Sequence, residues 1–408
     1  MSMGISESPT VNADDFPTPD FYRYEWIPLA SATVDGRFVR VRWSDGAELE
    51  AFDWWLRENA VGAGGVDLAT REGLLDPAHH IDETAFQSVE VTPEGALRIS
   101  WAPDSTLATY HPGWLRHVAD GQHRAASWLA TPQSWTAADL PEPPTYDGTH
   151  ALTDDDVLAA WVDDLLRYGI ARLRGCPTEL DFNRRLGERI GAIRDTNFGP
   201  IWDVKADISL AGTSDANSTA NTSLRLGPHT DLPTRETPPG FQFLHCVANE
   251  TLGGHSTMAD GLAIIDEIAS DHPQHYEALT TLNWVFFNRG PGIDHRWSGP
   301  MIDLGVPGSP LTIRAFYPVR GFPDMDPADM PRAYDAMRHF SQIAAEDRFQ
   351  MNYPFQPGDV VGFDNRRILH GRDAYESGGH RHLRGIYIDH DEVRSFARVH
   401  GRRRAQAL

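Results

Sequence analysis

His229, Thr230 and Asp231 stand together in LGPHTDLP, and His370 lies in FDNRRILHGR. On an extended strand or at its end, residues i and i+2 project to the same side, so His229 and Asp231 can reach one metal ion. A second imidazole from a distant strand, His370, would complete the face. Two histidines and one carboxylate occupy one face of an octahedron and leave positions open, the donor set associated with non-haem iron(II) oxygenases. His-x-Asp by itself arises by chance in long chains, and its company is what gives it meaning. His370 follows the strand-like VVGFDN segment, and Arg381 comes eleven residues after His370 in HRHLRGIYID. An iron site that takes a 2-oxo acid in two open positions needs a fixed cation for the far carboxylate, and arginine supplies a bidentate fork.

The elements that must position these groups read as mostly extended. Residues 1–29 read as a flexible leader. From 30 to 118 the chain alternates in the strand manner (VRVRW at 39–43, SVEVT at 88–92, LRISW at 97–101), which predicts a small N-terminal β-rich domain. A weak internal repeat runs through it: Trp43-Ser44-Asp45-Gly46 leads to Trp55-Leu56-Arg57, and Trp101-Ala102-Pro103-Asp104 leads to Trp114-Leu115-Arg116. Its tryptophans are read as core filling. Residues 119–150 turn rich in Ala, Ser, Pro and Thr and read as a linker. Thr153, with Asp156 three residues on, is expected to open a helix. A strand at 169–175 and a helix near 178–194 follow. Beyond them come GFQFLHCV, LTIRAFYPV, DVVGFDN and LRGIYID as strands, and one helix over Gly261–Ala278. Strands without βαβ alternation favour a double-sheet barrel or jelly roll over a parallel α/β sheet.

Composition bounds the partners. With 36 Lys+Arg against 58 Asp+Glu the formal charge is −22, which argues against nucleic acid, since phosphate recognition needs a basic face. No run approaches ~20 apolar residues, so no membrane span is expected. The two cysteines, Cys176 and Cys246, exclude a disulfide framework and fit a reducing, cytoplasmic setting.

HTD at 229–231, PPGFQFLHC at 238–246, GGHSTMADG at 253–261, FDNRRILHGR and RHLRGIYID resemble, in order, the γ-butyrobetaine and trimethyllysine hydroxylase branch of the TauD-like iron(II)/2-oxoglutarate dioxygenases. The resemblance spans most of the chain, with WSDG and WLREN similar to that branch's accessory domain. It implies a fold that is mainly β with flanking helices, a double-stranded β-helix (jelly-roll) core over 151–400, and iron(II), 2-oxoglutarate and O2 as cofactor and co-substrates. By the same carry-over His229, Asp231 and His370 ligate iron, Arg381 binds the C5 carboxylate of 2-oxoglutarate, Ser256 donates a hydroxyl to it, and Leu244 lines its pocket. Asp231, present where halogenases of the superfamily have Ala or Gly, blocks the halide position and points to oxygenation.

The family holds a trimethylammonium group in an aromatic cage, because ring faces attract a cation that cannot donate hydrogen bonds. Phe198, Trp202 and Tyr387 match cage positions. Asn221 stands where a further cage tyrosine is expected, Ser218 replaces an asparagine that helps hold the substrate carboxylate, and Ala315 and Tyr317 stand where the family shows amides. The cation is therefore expected to stay while the acidic end is open. A trimethylammonium phosphonate or natural-product intermediate, with desaturation or rearrangement as the outcome, is the alternative, and Arg225 and Arg320 are candidates to meet the acid. The accessory domain's usual Cys3His zinc site is missing, with Ala60, Gly62, Gly65 and Thr106 at its positions, so this domain is expected to fold without metal. A quaternary-amine binding protein without turnover and a zinc hydrolase are the rivals from other classes. By analogy with the family a homodimer is expected.

Overall fold

The computed structural model describes residues 15–205, 225–251, 253–288, 292–306, 309–315, 321–374 and 379–407, and the chain divides into two compact units, Met1–Ser127 and Trp128–Leu408. In the first unit, β1 (Leu29–Asp35), β2 (Phe38–Trp43) and β3 (Glu48–Phe52) make one antiparallel sheet, and β4 (Ala85–Val91), β5 (Leu97–Ala102) and β6 (Thr106–Tyr110) a second. Helices α1 (Asp53–Glu58), α2 (Pro77–His80) and α3 (Pro112–Ala119) accompany them. The central strands alternate as the sequence predicts: Val39, Val41 and Trp43 on β2 and Leu97, Ile99 and Trp101 on β5 are buried in one core. The repeat does fill that core, with Trp114 buried and Trp55 stacked on it at 5.2 Å.

The expected leader is described only from residue 15. Residues 1–14 lie outside the described part, but from residue 15 onward the segment packs on the first unit. Trp26 Nε1 donates to the Glu94 carbonyl (2.9 Å) and the Trp26 ring meets Phe16 at 4.7 Å, because aromatic rings carry enough area to hold a short segment down. Over Ala60–Gly65 the turn after α1 is closed by hydrogen bonds. The Ala60 carbonyl accepts from Ala63, Gly65 and Val66, and Arg57 Nη1 donates to the Ala63 carbonyl at 2.8 Å.

The second unit starts inside the predicted linker. Trp135 is buried, its backbone N–H donates to Asp260 Oδ2 (3.1 Å) and its Nε1 to the Tyr168 carbonyl (2.7 Å). Asp260 also pairs with the buried guanidinium of Arg367, so the segment is anchored by a buried charge pair in spite of its prolines. Strand β7 (Thr145–Asp147) then pairs in parallel with β8 (Ile170–Arg174) across α4 (Asp155–Tyr168). The cap of α4 is Asp154, one residue later than expected, accepting from the N–H of Asp156 and Val157.

Next come α5 (Phe182–Ile190), shorter than expected, β9 (Trp202–Lys205), β10 (Leu226–His229), β11 (Phe241–Asn249) and β12 (Ser256–Asp260). The single helix expected over Gly261–Ala278 is two, α6 (Gly261–Asp271) and α7 (Pro273–Thr281), because Pro273 offers no N–H and drives His272 to an extended φ of −137°. Short strands β13 (Asn283–Phe287), β14 (Arg296–Pro300), β15 (Ile302–Asp303), β16 (Thr312–Ile313) and β17 (Phe322–Asp324) precede α8 (Met330–Ala344). The chain finishes with β18 (Gln350–Tyr353), β19 (Val360–Asp364), β20 (Ile368–Arg372), β21 (Arg381–Ile388) and α9 (His390–Ala407).

Two sheets of this unit matter for function: a six-stranded one, β7-β8-β19-β11-β21-β9, and a four-stranded one, β10-β20-β12-β18. Leu244, Cys246 and Leu383 of the first and Met258, Met351 and Tyr353 of the second share one buried cluster. Apolar packing between the sheets therefore fixes the strands that carry His229, His370 and Arg381. Among the described residues no helix is long and apolar enough to cross a membrane.

Candidate active site

Strands β10 and β20 pair antiparallel with His229 directly opposite His370, which converts a large sequence separation into a ring-to-ring distance of 4.2 Å. Asp231, two residues past His229, turns back to the same place. Its Oδ1 lies 3.4 Å from His229 Nε2, its Oδ2 3.6 Å from His370 Nε2, and one ligand atom from each of the three residues lies within 4.8 Å of the others. His229 Nδ1 sits 3.0 Å from the Gly227 carbonyl, so that nitrogen carries the proton and Nε2 presents its lone pair. Burial, then the neighbouring His229, lowers the pKa of His370 and keeps it neutral. Burial works against charge on Asp231, but the two imidazoles outweigh it and hold its carboxyl well below the usual range. Two imidazoles and a carboxylate held in its charged form, converging on one place, are the donor set an iron(II) ion takes.

Asp231 is held from three sides. Its N–H donates to Asn365 Oδ1 (2.6 Å) and its carbonyl accepts from Asn365 Nδ2 (3.1 Å). Thr230 beside it exchanges hydrogen bonds with Ala315 through its N–H and Oγ1, and donates Oγ1 to the Ile313 carbonyl. Tyr387 Oη donates to Asp231 Oδ2 at 2.7 Å, and burial followed by the Asp231 charge keeps that phenol protonated. The turn after the motif passes through Leu232 at φ 53°, a left-handed conformation costly for leucine. Arg314 holds that turn: its guanidinium donates to the carbonyls of Pro233, Arg235 and Glu236 while stacking 3.4 Å over Trp297.

The remaining candidates are placed as follows. Arg381 is 3% exposed and lies on the same face of β21 as Leu383, Gly385 and Tyr387, by strand alternation. Cys246 is near enough for Arg381 to favour its thiolate, although burial still pushes the thiol up to about 12. Ser256 is buried on β12, opposite Arg372 on one side and Tyr353 on the other, and Leu244 is buried on β11 opposite Gly385. Trp202 packs against Tyr387 with ring centroids 5.4 Å apart, over Gly385, where a side chain would come within 2.2 Å of the indole. Phe198 is 45% exposed in a turn, and Arg225 is exposed just before β10. Ser218, Asn221, Tyr317 and Arg320 lie outside the described residues.

Sequence reasoning passed over Asn365 and Arg314, whose partners are far away along the chain, and Gln242, which faces Tyr387 across the β11–β21 ladder. Gln242 is 2% exposed, and its Oε1 makes no hydrogen bond. Asn365 and Gln242 lie inside FDNRRILHGR and PPGFQFLHC, where each is a buried amide among neighbours that are mostly buried as well.

Residues 131–387 match the family described as taurine catabolism dioxygenase TauD, TfdA family. The chain is 37% identical over 370 residues to the γ-butyrobetaine dioxygenase of Pseudomonas sp. (strain AK-1), covering 90% of this chain and 95% of that one. It is 29% identical to the γ-butyrobetaine dioxygenase of Pongo abelii, covering 91% and 97%, and 25% identical to the trimethyllysine dioxygenase of Meyerozyma guilliermondii, covering 89% and 94%.

Proposed function

Because this chain belongs to the TauD/TfdA family of dioxygenases and is an iron(II)- and 2-oxoglutarate-dependent oxidoreductase, we propose that it hydroxylates an unactivated C–H bond of a small trimethylammonium substrate related to γ-butyrobetaine. Bound iron supplies oxidation by O2 coupled to the decarboxylation of 2-oxoglutarate to succinate. The protein's own part is binding, orientation and exclusion of water. His229, Asp231 and His370 would hold the metal. Arg381, with the Ser256 hydroxyl, would fix the far carboxylate of 2-oxoglutarate, and Leu244 would give that pocket an apolar wall. We read the six- and four-stranded sheets as the two faces of a double-stranded β-helix with iron at one mouth.

The observation that carries the substrate reading is the Trp202–Tyr387 pair beside the triad. The Tyr387 hydroxyl is committed to Asp231 at 2.7 Å, so its ring stands next to the metal position, and Trp202 leans on it at 5.4 Å. A quaternary ammonium held on those faces, at about 0.5–2 kcal/mol per ring, would place a nearby methylene against the metal. Phe198 would add a third ring from its turn. Arg225 and Arg320 would meet the acidic end, with Ser218 in place of the asparagine that holds a carboxylate and Asn221 in place of a further cage tyrosine, and the cytoplasm and a homodimer are the setting we propose. A binding protein without turnover has no need of three converging ligand atoms locked by Asn365 and Tyr387.

The test is succinate formation with iron(II), O2 and a panel of trimethylammonium compounds bearing carboxylate, amino-acid or phosphonate ends. At least one member should stimulate succinate and gain one oxygen in mass. If neutral compounds without a quaternary nitrogen outperform them all, the cage reading is wrong.

A further inference from the structure

A second group of imidazoles gathers where α6, α7 and α8 meet. His272 ends α6, His275 lies in the first turn of α7, and His339 is on α8. Their rings are 5.5 Å (His272–His275), 4.3 Å (His272–His339) and 4.9 Å (His275–His339) apart, and one ring nitrogen from each lies within 4.8 Å of the others. All three are half-buried. The site follows from the break in the helix. Pro273 forces the turn at His272, and the N–H groups of His275 and Tyr276 close on the His272 carbonyl, which folds the two histidines of His272-Pro273-Gln274-His275 toward each other.

The nitrogens are presented as ligands. His275 Nε2 lies 3.2 Å from Asp335 Oδ2, so that nitrogen carries the proton and Nδ1 offers its lone pair, 2.8 Å from His339 Nδ1. A carboxylate on the far nitrogen is how proteins orient metal-bound histidines. Asp335 is itself held by Arg338 one turn on. Around a tetrahedral ion with metal–nitrogen bonds of about 2.0–2.1 Å, ligand nitrogens stand about 3.3 Å apart, between the 2.8 Å of the His275–His339 pair and the 4.8 Å that bounds all three.

We propose that His272, His275 and His339 form a second metal site, separate from the catalytic triad, for a borderline divalent transition-metal ion of the zinc(II) class. All-nitrogen ligation suits zinc, nickel, cobalt and copper and excludes magnesium and calcium. Its effect is to tie the α6–α7 turn to α8. The inference owes nothing to the oxygenase reading and survives if that reading falls.

The test uses the full-length, metal-stripped chain titrated with zinc(II) alone. The unaltered chain should take up two equivalents, and the His229→Ala/Asp231→Ala chain one, with a rise of several degrees in Tm. His275→Gln or His339→Gln in that background should weaken the remaining uptake at least tenfold. The same single variants should keep the metal-free Tm of their parent chain, which shows that they fold. Should the glutamine variants fail to fold, cobalt(II) added to the His229→Ala/Asp231→Ala chain decides: visible bands of nitrogen-ligated cobalt, abolished by zinc, support the site, and the spectrum of aqueous cobalt overturns it. Uptake indifferent to His275 and His339, or no uptake by the His229→Ala/Asp231→Ala chain, also overturns it.

Discussion

Tyr387 has two tasks that a substitution can separate. Its hydroxyl holds Asp231 Oδ2 and its ring stacks with Trp202. Tyr387→Phe keeps the ring and removes the donor, so iron(II) affinity is expected to fall about 10–100-fold, as for other hydrogen-bonded partners of metal ligands, while KM for the substrate changes little at saturating iron. Equilibrium binding of iron under anaerobic conditions reads the first quantity, and unchanged affinity would mean that the hydroxyl does not support the ligand. Gly385 sets the other half of the pair, since a Cβ there meets the Trp202 ring at 2.2 Å. Gly385→Ala should displace the indole and raise KM severalfold with iron binding intact. His229, Asp231 and His370 stand out by residue type and strand period, and their convergence is what the strand pairing adds. The Asn365 and Tyr387 bonds to Asp231 do not stand out, because hydrogen bonds across 134 and 156 residues leave no local pattern.

Elements carry their own predictions. In the first unit His111 caps α3, its Nδ1 accepting from the N–H of Gly113 (3.1 Å) and Trp114 (3.4 Å), and burial lowers its pKa to about 4. Only the neutral ring can accept both bonds. Because the folded pKa lies below the unfolded value of about 6.5, this contribution is intact above that pH and lost as the pH falls toward 4, up to about 3 kcal/mol over the window. His111→Asn retains an acceptor that does not titrate. Hydrogen exchange at the α3 amides should therefore accelerate on acidification in the unaltered chain and be markedly less pH-dependent in the variant; equal acceleration in both would rule the cap out as the cause. Strand positions in this unit were legible because burial on one face imposes a period of two. Helix ends were less so. The break at His272 was overlooked although Pro273 marks it, since an apolar stripe continues on both sides of the break and periodicity alone does not register a missing N–H.

At the scale of the whole molecule, the site exists because two sheets share an apolar core and bring β10, β20 and β21 into one place. The acidic composition sets the expectation that nucleic acid is not a partner, but it could not reveal that the proline-rich stretch from 128 to 150 is part of the second unit. What holds that stretch is Trp135 and the buried Asp260–Arg367 pair, a tertiary bond with no signature in composition. The same distinction governs the site: His229 and Asp231 are neighbours in sequence, while His370 joins them only through the pairing of β10 with β20. The central claim is that His229, Asp231 and His370 direct O2 and 2-oxoglutarate to a C–H bond of a trimethylammonium substrate. Single-turnover reaction under 18O2 tests it most directly. The prediction is one labelled oxygen in the product and one in succinate, in equal amounts, abolished by Asp231→Ala; product formed without iron or 2-oxoglutarate, or undiminished in that variant, would contradict it.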